Sequence, residues 1–193
     1  MLKTPAISTL TICGIEELPA HQTRGVTHIL SVLDPDWPEI DAFVRYEQHH
    51  RLTLRFHDII EPEEGRISPA LEHVSAILRF GSDLFSSSRD GKSGHLLVHC
   101  HMGISRSTAA MLALLAQAHP NEDEDLLFAQ LRQIRPQAWP NSRMIGYADD
   151  LLGRKGQFVA ALRRHYGLQI RSEPKYRDWM RQLGRGNEVD MAL

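Results

Sequence analysis

Apolar and polar side chains alternate from Ala6 to Cys13, from Thr27 to Leu33 and from Leu52 to Phe56, the period-two signature of strands. His95-Leu96-Leu97-Val98-His99 is apolar through its centre, which fits a short central strand. Elsewhere the period lengthens to that of a helix. After Ser68-Pro69, a serine N-cap followed by proline at the first helical position, Leu71, Val74, Leu78 and Phe85 fall on one face. Thr108, Met111, Leu112 and Leu115 repeat that spacing, and so do Leu127, Leu131 and Ile134 behind an Asn121/Glu124 pair resembling a capping box. Further helices are expected over Asn141–Leu152 (ended by Gly153), Phe158–Tyr166 and Pro174–Leu183, with short helical stretches after Gly14 and from Glu39 to His49. Asp34-Pro35-Asp36-Trp37-Pro38 is a strong turn signal.

Strands therefore crowd the first half and helices fill the second. The pattern predicts an α/β domain: a central, mostly parallel sheet of four or five strands, flanked by helices, with a helical second half. No repeat, low-complexity tract or linker divides the chain, so residues 1–193 read as one domain, with 184–193, poor in apolar residues, as a frayed tail. Composition is ordinary for a globular chain, with 42% hydrophobic and 24% charged residues. A net charge of −2 gives no reason to expect nucleic acid or an anionic membrane as partner, so any anion site must be local. The two cysteines, Cys13 and Cys100, form neither a disulfide framework nor a zinc-finger spacing, and free thiols fit a reducing compartment. No basic-then-apolar leader opens the sequence, and no apolar run approaches the roughly 20 residues that span a bilayer. The expectation is a cytoplasmic protein; oligomeric state is not legible.

The chemistry concentrates in His99-Cys100-His101-Met102-Gly103-Ile104-Ser105-Arg106-Ser107. A buried strand runs into a short loop, and the loop into a helix. Free backbone N–H groups and the helix dipole both favour an anion at such a junction. A cysteine there is expected to be largely thiolate. An arginine six residues later can fold over the same concavity and hold two oxygens with its planar fork. Gly103 permits the backbone to close the loop.

His-Cys-x5-Arg followed by serine resembles the signature loop of the cysteine-based protein tyrosine phosphatases, and its Gly-x-Ser-Arg-Ser ending is most similar to the dual-specificity branch. The resemblance covers roughly Leu10 to Leu152, including Arg135-Pro136 and Pro140-Asn141. It implies a protein tyrosine phosphatase-like fold and a phosphocysteine intermediate. By that resemblance Cys100 is the nucleophile. Arg106 and the amides of His101, Met102, Gly103, Ile104, Ser105 and Arg106 bind the phosphate, Ser107 hydrogen-bonds the sulfur, and His99 orients the loop and supports a low thiol pKa. No metal or other cofactor is implied. The resemblance also calls for a general acid at the end of the strand before the preceding helix, where Asp58 stands. The 42-residue separation of Asp58 and Cys100 keeps Glu61, Glu63 and Glu64 as substitutes. The implied substrate is a phosphorylated protein or small phosphate ester, with phosphotyrosine ahead of phosphoinositides because the loop carries no lysine. No added recognition loop is evident, which suggests a shallow pocket.

Other features read blandly. Cys13 is expected in the core. His95, His99 and His101 make no closed metal-ligand set, though His101 is expected on the pocket rim. Gly91-Lys92-Ser93 lacks the upstream glycine of a nucleotide-binding loop. Glu122 to Asp125 reads as a helix start and Arg163-Arg164 as a solvated face.

Overall fold

The computed structural model describes residues 7–86 and 94–193. Four strands, β1 (Ile7–Cys13), β2 (His28–Leu33), β3 (His50–Arg55) and β4 (Gly94–His99), form one sheet in the order β1-β4-β2-β3, with every pairing parallel. β4 is buried along its whole length, as its apolar centre requires of an inner strand. Its side chains alternate between two cores. Leu96 and Val98 join Ile12, Leu30, Val32 and Phe56 under the main helical layer. Leu97 joins Cys13, Leu18, Ile29, Phe43 and Tyr46 on the other face, beneath two short 3-10 helices, Ile15–His21 and Asp41–Arg45.

The described residues also form seven α-helices: α1 (Leu71–Ser86), α2 (Arg106–Ala118), α3 (Glu124–Ile134), α4 (Ser142–Leu151), α5 (Gln157–Ser172), α6 (Lys175–Gln182) and α7 (Gly186–Asp190). α2 is buried from Arg106 to Ala116 because it packs on the sheet and against α1, α3 and α4 at once. A helix with neighbours on every side needs small and apolar residues all round, which its Ala109-Ala110-Met111-Leu112-Ala113-Leu114 run supplies.

Several boundaries differ from the sequence reading. The Glu39–His49 helix is only a 3-10 segment, in which Phe43 is the one buried side chain. α3 is capped by Asp123, whose side chain accepts from the amides of Asp125 and Leu126, and not by Asn121. α1 starts at Leu71 instead of Pro69, with the Ala70 amide donating to His73 Nδ1. α5 continues past Tyr166 to Ser172, because Gln169 and Ile170 are also buried. The expected placement of Phe85 on the α1 face and the Gly91-Lys92-Ser93 segment lie outside the described side chains.

The largest correction concerns residues 184–193. They form α7, not a frayed tail: Arg185 is 4% exposed and Glu188 fully buried. Low apolar content misled because this segment docks by ion pairs and hydrogen bonds. Glu188 accepts from Trp139 Nε1 at 2.7 Å, the Ser142 amide at 2.7 Å and the Arg185 guanidinium. Trp139 is itself stacked between Tyr166 and Tyr176.

Candidate active site

All four strands point their C-terminal ends at one edge of the sheet, where parallel α/β sheets carry their ligands. The loop from Cys100 to Ser105 lies there, between the end of β4 and the start of α2. Its backbone direction is set by its carbonyls. His101 O accepts from the Ile15 amide at 2.9 Å, Met102 O from Arg135 Nη2 at 3.0 Å and Gly103 O from Arg135 Nε at 3.0 Å. Ile104 O accepts from the Trp139 amide at 2.8 Å, and Ser105 O from the Ala109 amide at 3.0 Å. Five successive carbonyls are thus turned into the surrounding protein. In a trans peptide the N–H opposes the C=O, so the amides from Met102 to Arg106 point away from those partners, on the side where Met102, Ile104, Ser105 and Arg106 line a cavity.

Two features lock this arrangement. Arg135 is fixed by a bidentate pair with Glu17, at 2.8 Å for each contact. Gly103 has φ +69°, and a Cβ there would lie 2.5 Å from the Cys13 carbonyl carbon, so the loop sits directly on the end of β1.

Cys100 is 2% exposed, and its Sγ lies 3.1 Å from Ser107 Oγ. Arg106 is anchored from behind. Its Nη1 donates to Asp34 Oδ1 at 2.6 Å and to Phe56 O at 2.5 Å, while its Nε is buried without a partner. Cys100, Arg106 and the loop line one cavity of about 380 Å³. An unpaired guanidinium N–H beside a row of inward amides suits a tetrahedral oxyanion.

His99 is fully buried and its Nε2 meets Ser31 Oγ at 2.7 Å. Burial pushes its ring down to about 4, against the hydrogen bond with the Cys100 peptide, so it is neutral near pH 7 and cannot stabilise a thiolate by charge. His101 is half-buried against Trp37, with ring centroids 4.2 Å apart. Burial, then the charge of Arg106, lowers its pKa, so it lines the pocket as a neutral ring. Met102 is 53% exposed at the rim. Cys13 is buried in the second core, where burial and the charge of Glu17 push its thiol up to about 12.

Asp58 lies in the cavity wall, as do Glu61 and Glu63; Glu64 does not. Glu63 is paired with Arg66 at 2.8 Å, and Glu61 accepts from Asn187 Nδ2. Asp58 Oδ1 accepts from Ser105 Oγ at 2.8 Å, Arg185 Nη1 at 2.8 Å and Asn141 Nδ2 at 3.0 Å. Burial alone would raise this carboxyl. The charges of Arg185 and Arg106, with the bonds from Asn141 and Arg185, overcome it and hold the group at about 2.

The far wall is built by Trp179, Met180, Leu183, Gly184 and Arg185, together with Trp139. The C-terminal segment therefore supplies a side of the pocket, which the sequence reading did not anticipate. Sequence reasoning missed Asp34, Glu17 and the Arg185–Glu188 pair. Asp34 had a signal, an acid at the end of a strand. Arg185 had none, since its role exists only once α7 docks. Among the described residues, no group of three or more His, Cys, Asp or Glu side chains could hold a metal ion. No described helix is long and apolar enough to cross a membrane.

No family model matches the chain. Over 152 residues, 79% of this chain, it is 29% identical to human protein phosphatase Slingshot homolog 3. Over 138 residues, 69% of this chain, it is 28% identical to the MAP kinase phosphatase with leucine-rich repeats protein 3 of Dictyostelium discoideum. The chain spans only 20% and 13% of the lengths of these two relatives. Among solved structures, PTP-2 phosphatase of Cydia pomonella superposes with a TM-score of 0.57 at 16% identity, covering 76% of this chain and 88% of that one. The human tyrosine phosphatase-like serine/threonine/tyrosine-interacting protein gives 0.56 at 19% identity, covering 78% and 95%. The curated relatives it matches are named as phosphatases, and the chain has the fold of the cysteine-based protein tyrosine phosphatases.

Proposed function

We propose that the chain is a cysteine-dependent phosphatase acting on phosphate monoesters, with phosphotyrosine as the preferred group and phosphoserine or phosphothreonine as further substrates. The observation that carries this reading is the loop itself: five carbonyls turned into the protein, and an Arg106 that lines the same cavity as Cys100 and whose buried Nε has no partner among the described residues.

In the first step the Cys100 thiolate attacks phosphorus. The sulfur–phosphorus bond forms, the ester bond breaks, and the leaving oxygen takes a proton from Asp58. The amides from Met102 to Arg106 and the Arg106 guanidinium carry the charge of the equatorial oxygens. In the second step Asp58 removes a proton from water, the water oxygen bonds phosphorus, and the thiolate departs with Ser107 Oγ donating to it. Inorganic phosphate is the product. A bound phosphate dianion would face Asp58 and oppose the arginine charges, raising the carboxyl toward its proton-donating form. The apolar wall of Trp139, Trp179, Met180 and Leu183 favours an aromatic leaving group over a lipid headgroup.

Turnover of p-nitrophenyl phosphate by the purified chain, lost in Cys100→Ser with folding intact, tests the reading. A wild-type protein that binds phosphate without turnover would point instead to a silent phosphate-binding module.

A further inference from the structure

The least expected feature of the cavity is its connection to the end of the chain. Arg185 spends its donors on three residues, Asp58, Ser105 and Glu188, and Nη1 also reaches the Asp58 carbonyl at 3.4 Å. Nη1 reaches Asp58 Oδ1 at 2.8 Å, Nη2 reaches Ser105 Oγ at 2.9 Å and Glu188 Oε1 at 3.1 Å, and Nε reaches Glu188 Oε2 at 3.0 Å. Ser105 Oγ in turn donates to Asp58 Oδ1 at 2.8 Å, closing a ring of three side chains from the Asp58 loop, the Cys100 loop and the C-terminal segment. Glu188 holds the guanidinium from the opposite side, and it is itself fixed by Trp139 Nε1 and the Ser142 amide at the start of α4. With its fork so engaged, Arg185 has no edge free to bind phosphate. Its contacts instead fix a side chain that does face the cavity.

We propose that Arg185, braced by Glu188, is a positioning residue that aims the Asp58 carboxyl at the leaving-group side of the pocket and sets when it carries a proton. The proposal takes the phosphatase chemistry above as given. The bonds described to the Asp58 carboxyl all fall on Oδ1, which leaves Oδ2 to meet the leaving oxygen and later the water. The charged and titratable groups around Asp58 are Arg185 and Glu188 from the C-terminal segment, Cys100 and His101 from the Cys100 loop, Arg106 at the start of α2, Asp34 beyond β2, Tyr166 from α5, and Glu61, Glu63 and Arg66 from its own loop. Of these, Arg185 is the strongest in holding Asp58 ionised, ahead of Arg106.

The test uses the full chain and two aryl phosphates, one with an acidic and one with a weakly acidic leaving phenol. In Arg185→Met the carboxyl keeps its proton to higher pH, so the alkaline limb of kcat/KM moves up for the weakly acidic phenol. Loss of aim lowers kcat about tenfold or more while KM changes little. Arg185→Lys keeps the charge without the fork, so the limb stays near its wild-type position while kcat recovers only in part. A folded Arg185→Met with unchanged kcat and an unchanged limb overturns the proposal. Should that variant not fold, Arg185→Lys decides: a lowered kcat with the limb near its wild-type position is expected, and a wild-type kcat overturns the proposal. A wild-type chain with no turnover, or turnover that survives Cys100→Ser, refutes the phosphatase reading instead.

Discussion

Asp34 Oδ1 lies 2.6 Å from Arg106 Nη1, so the arginine that faces the loop is held from behind by an acid at the end of β2. The pair is unequal in exposure: the Arg106 side chain is 3% exposed and Asp34 34%. Asp34 therefore orients a guanidinium that has no freedom of its own. Asp34→Ala is expected to lower kcat/KM for aryl phosphates by about 10- to 100-fold through misplacement of the fork. Asp34→Asn keeps an acceptor and should lose less. Steady-state kinetics of the two variants check this, and equal activity in wild type and Asp34→Ala would refute it.

Gly103 and Gly25 both adopt positive φ, +69° and +61°, but only Gly103 faces backbone within 4 Å. Gly25→Ala should cost only the left-handed strain, about 1–2 kcal/mol, and leave activity intact. Gly103→Ala adds a collision with the Cys13 peptide, so the loop must move. Loss of activity together with a larger fall in thermal stability is expected, read by melting curves and turnover on the same samples.

Acid should destabilise the fold from about pH 6.5 downward. His99 and His165 are both held at about 4, by burial in each case, with Arg132 also acting on His165. The unfolded chain protonates these rings near pH 6.5 while the native state does not. Native protein thus binds fewer protons, and stability falls as pH drops from about 6.5 to 4. Below pH 4 the depressed Asp58 adds to the loss, since its native carboxyl stays ionised down to about 2 while the unfolded one protonates near 3.8. Urea midpoints measured from pH 7.5 downward should decline across the first window, and a flat profile there would contradict the neutral assignment of the two rings.

Cys13 should be chemically silent. Its thiol is pushed up to about 12 in a closed core, so at neutral pH it is neither thiolate nor accessible. Alkylation by iodoacetate at pH 7, followed by peptide mass analysis, should mark the Cys100 peptide, leave the Cys13 peptide unmodified, and slow when inorganic phosphate is added.

Much of the fold was legible because its signals are local. Strand alternation marked β1, β2 and β3, the apolar run marked β4, and a glycine-bearing loop between strand and helix marked the candidate site. What escaped depends on distant chain segments meeting. Glu17 and Arg135 clamp the loop carbonyls from 118 residues apart, and Arg185 meets Asp58 across 127. α7 looked like a tail because periodicity counts apolar residues, whereas Arg185 and Glu188 are buried by satisfying each other. One wall of the pocket was missed for the same reason, since it belongs to that segment.

The role proposed for Cys100 as nucleophile can be tested directly. Protein mixed with a good aryl phosphate at low pH, quenched within the first turnover and digested, should yield the peptide containing Cys100 heavier by one phosphoryl group, with no adduct from Cys100→Ser. A phosphoryl group found on any other residue, or turnover with no covalent adduct at any quench time, would contradict the role assigned to that sulfur.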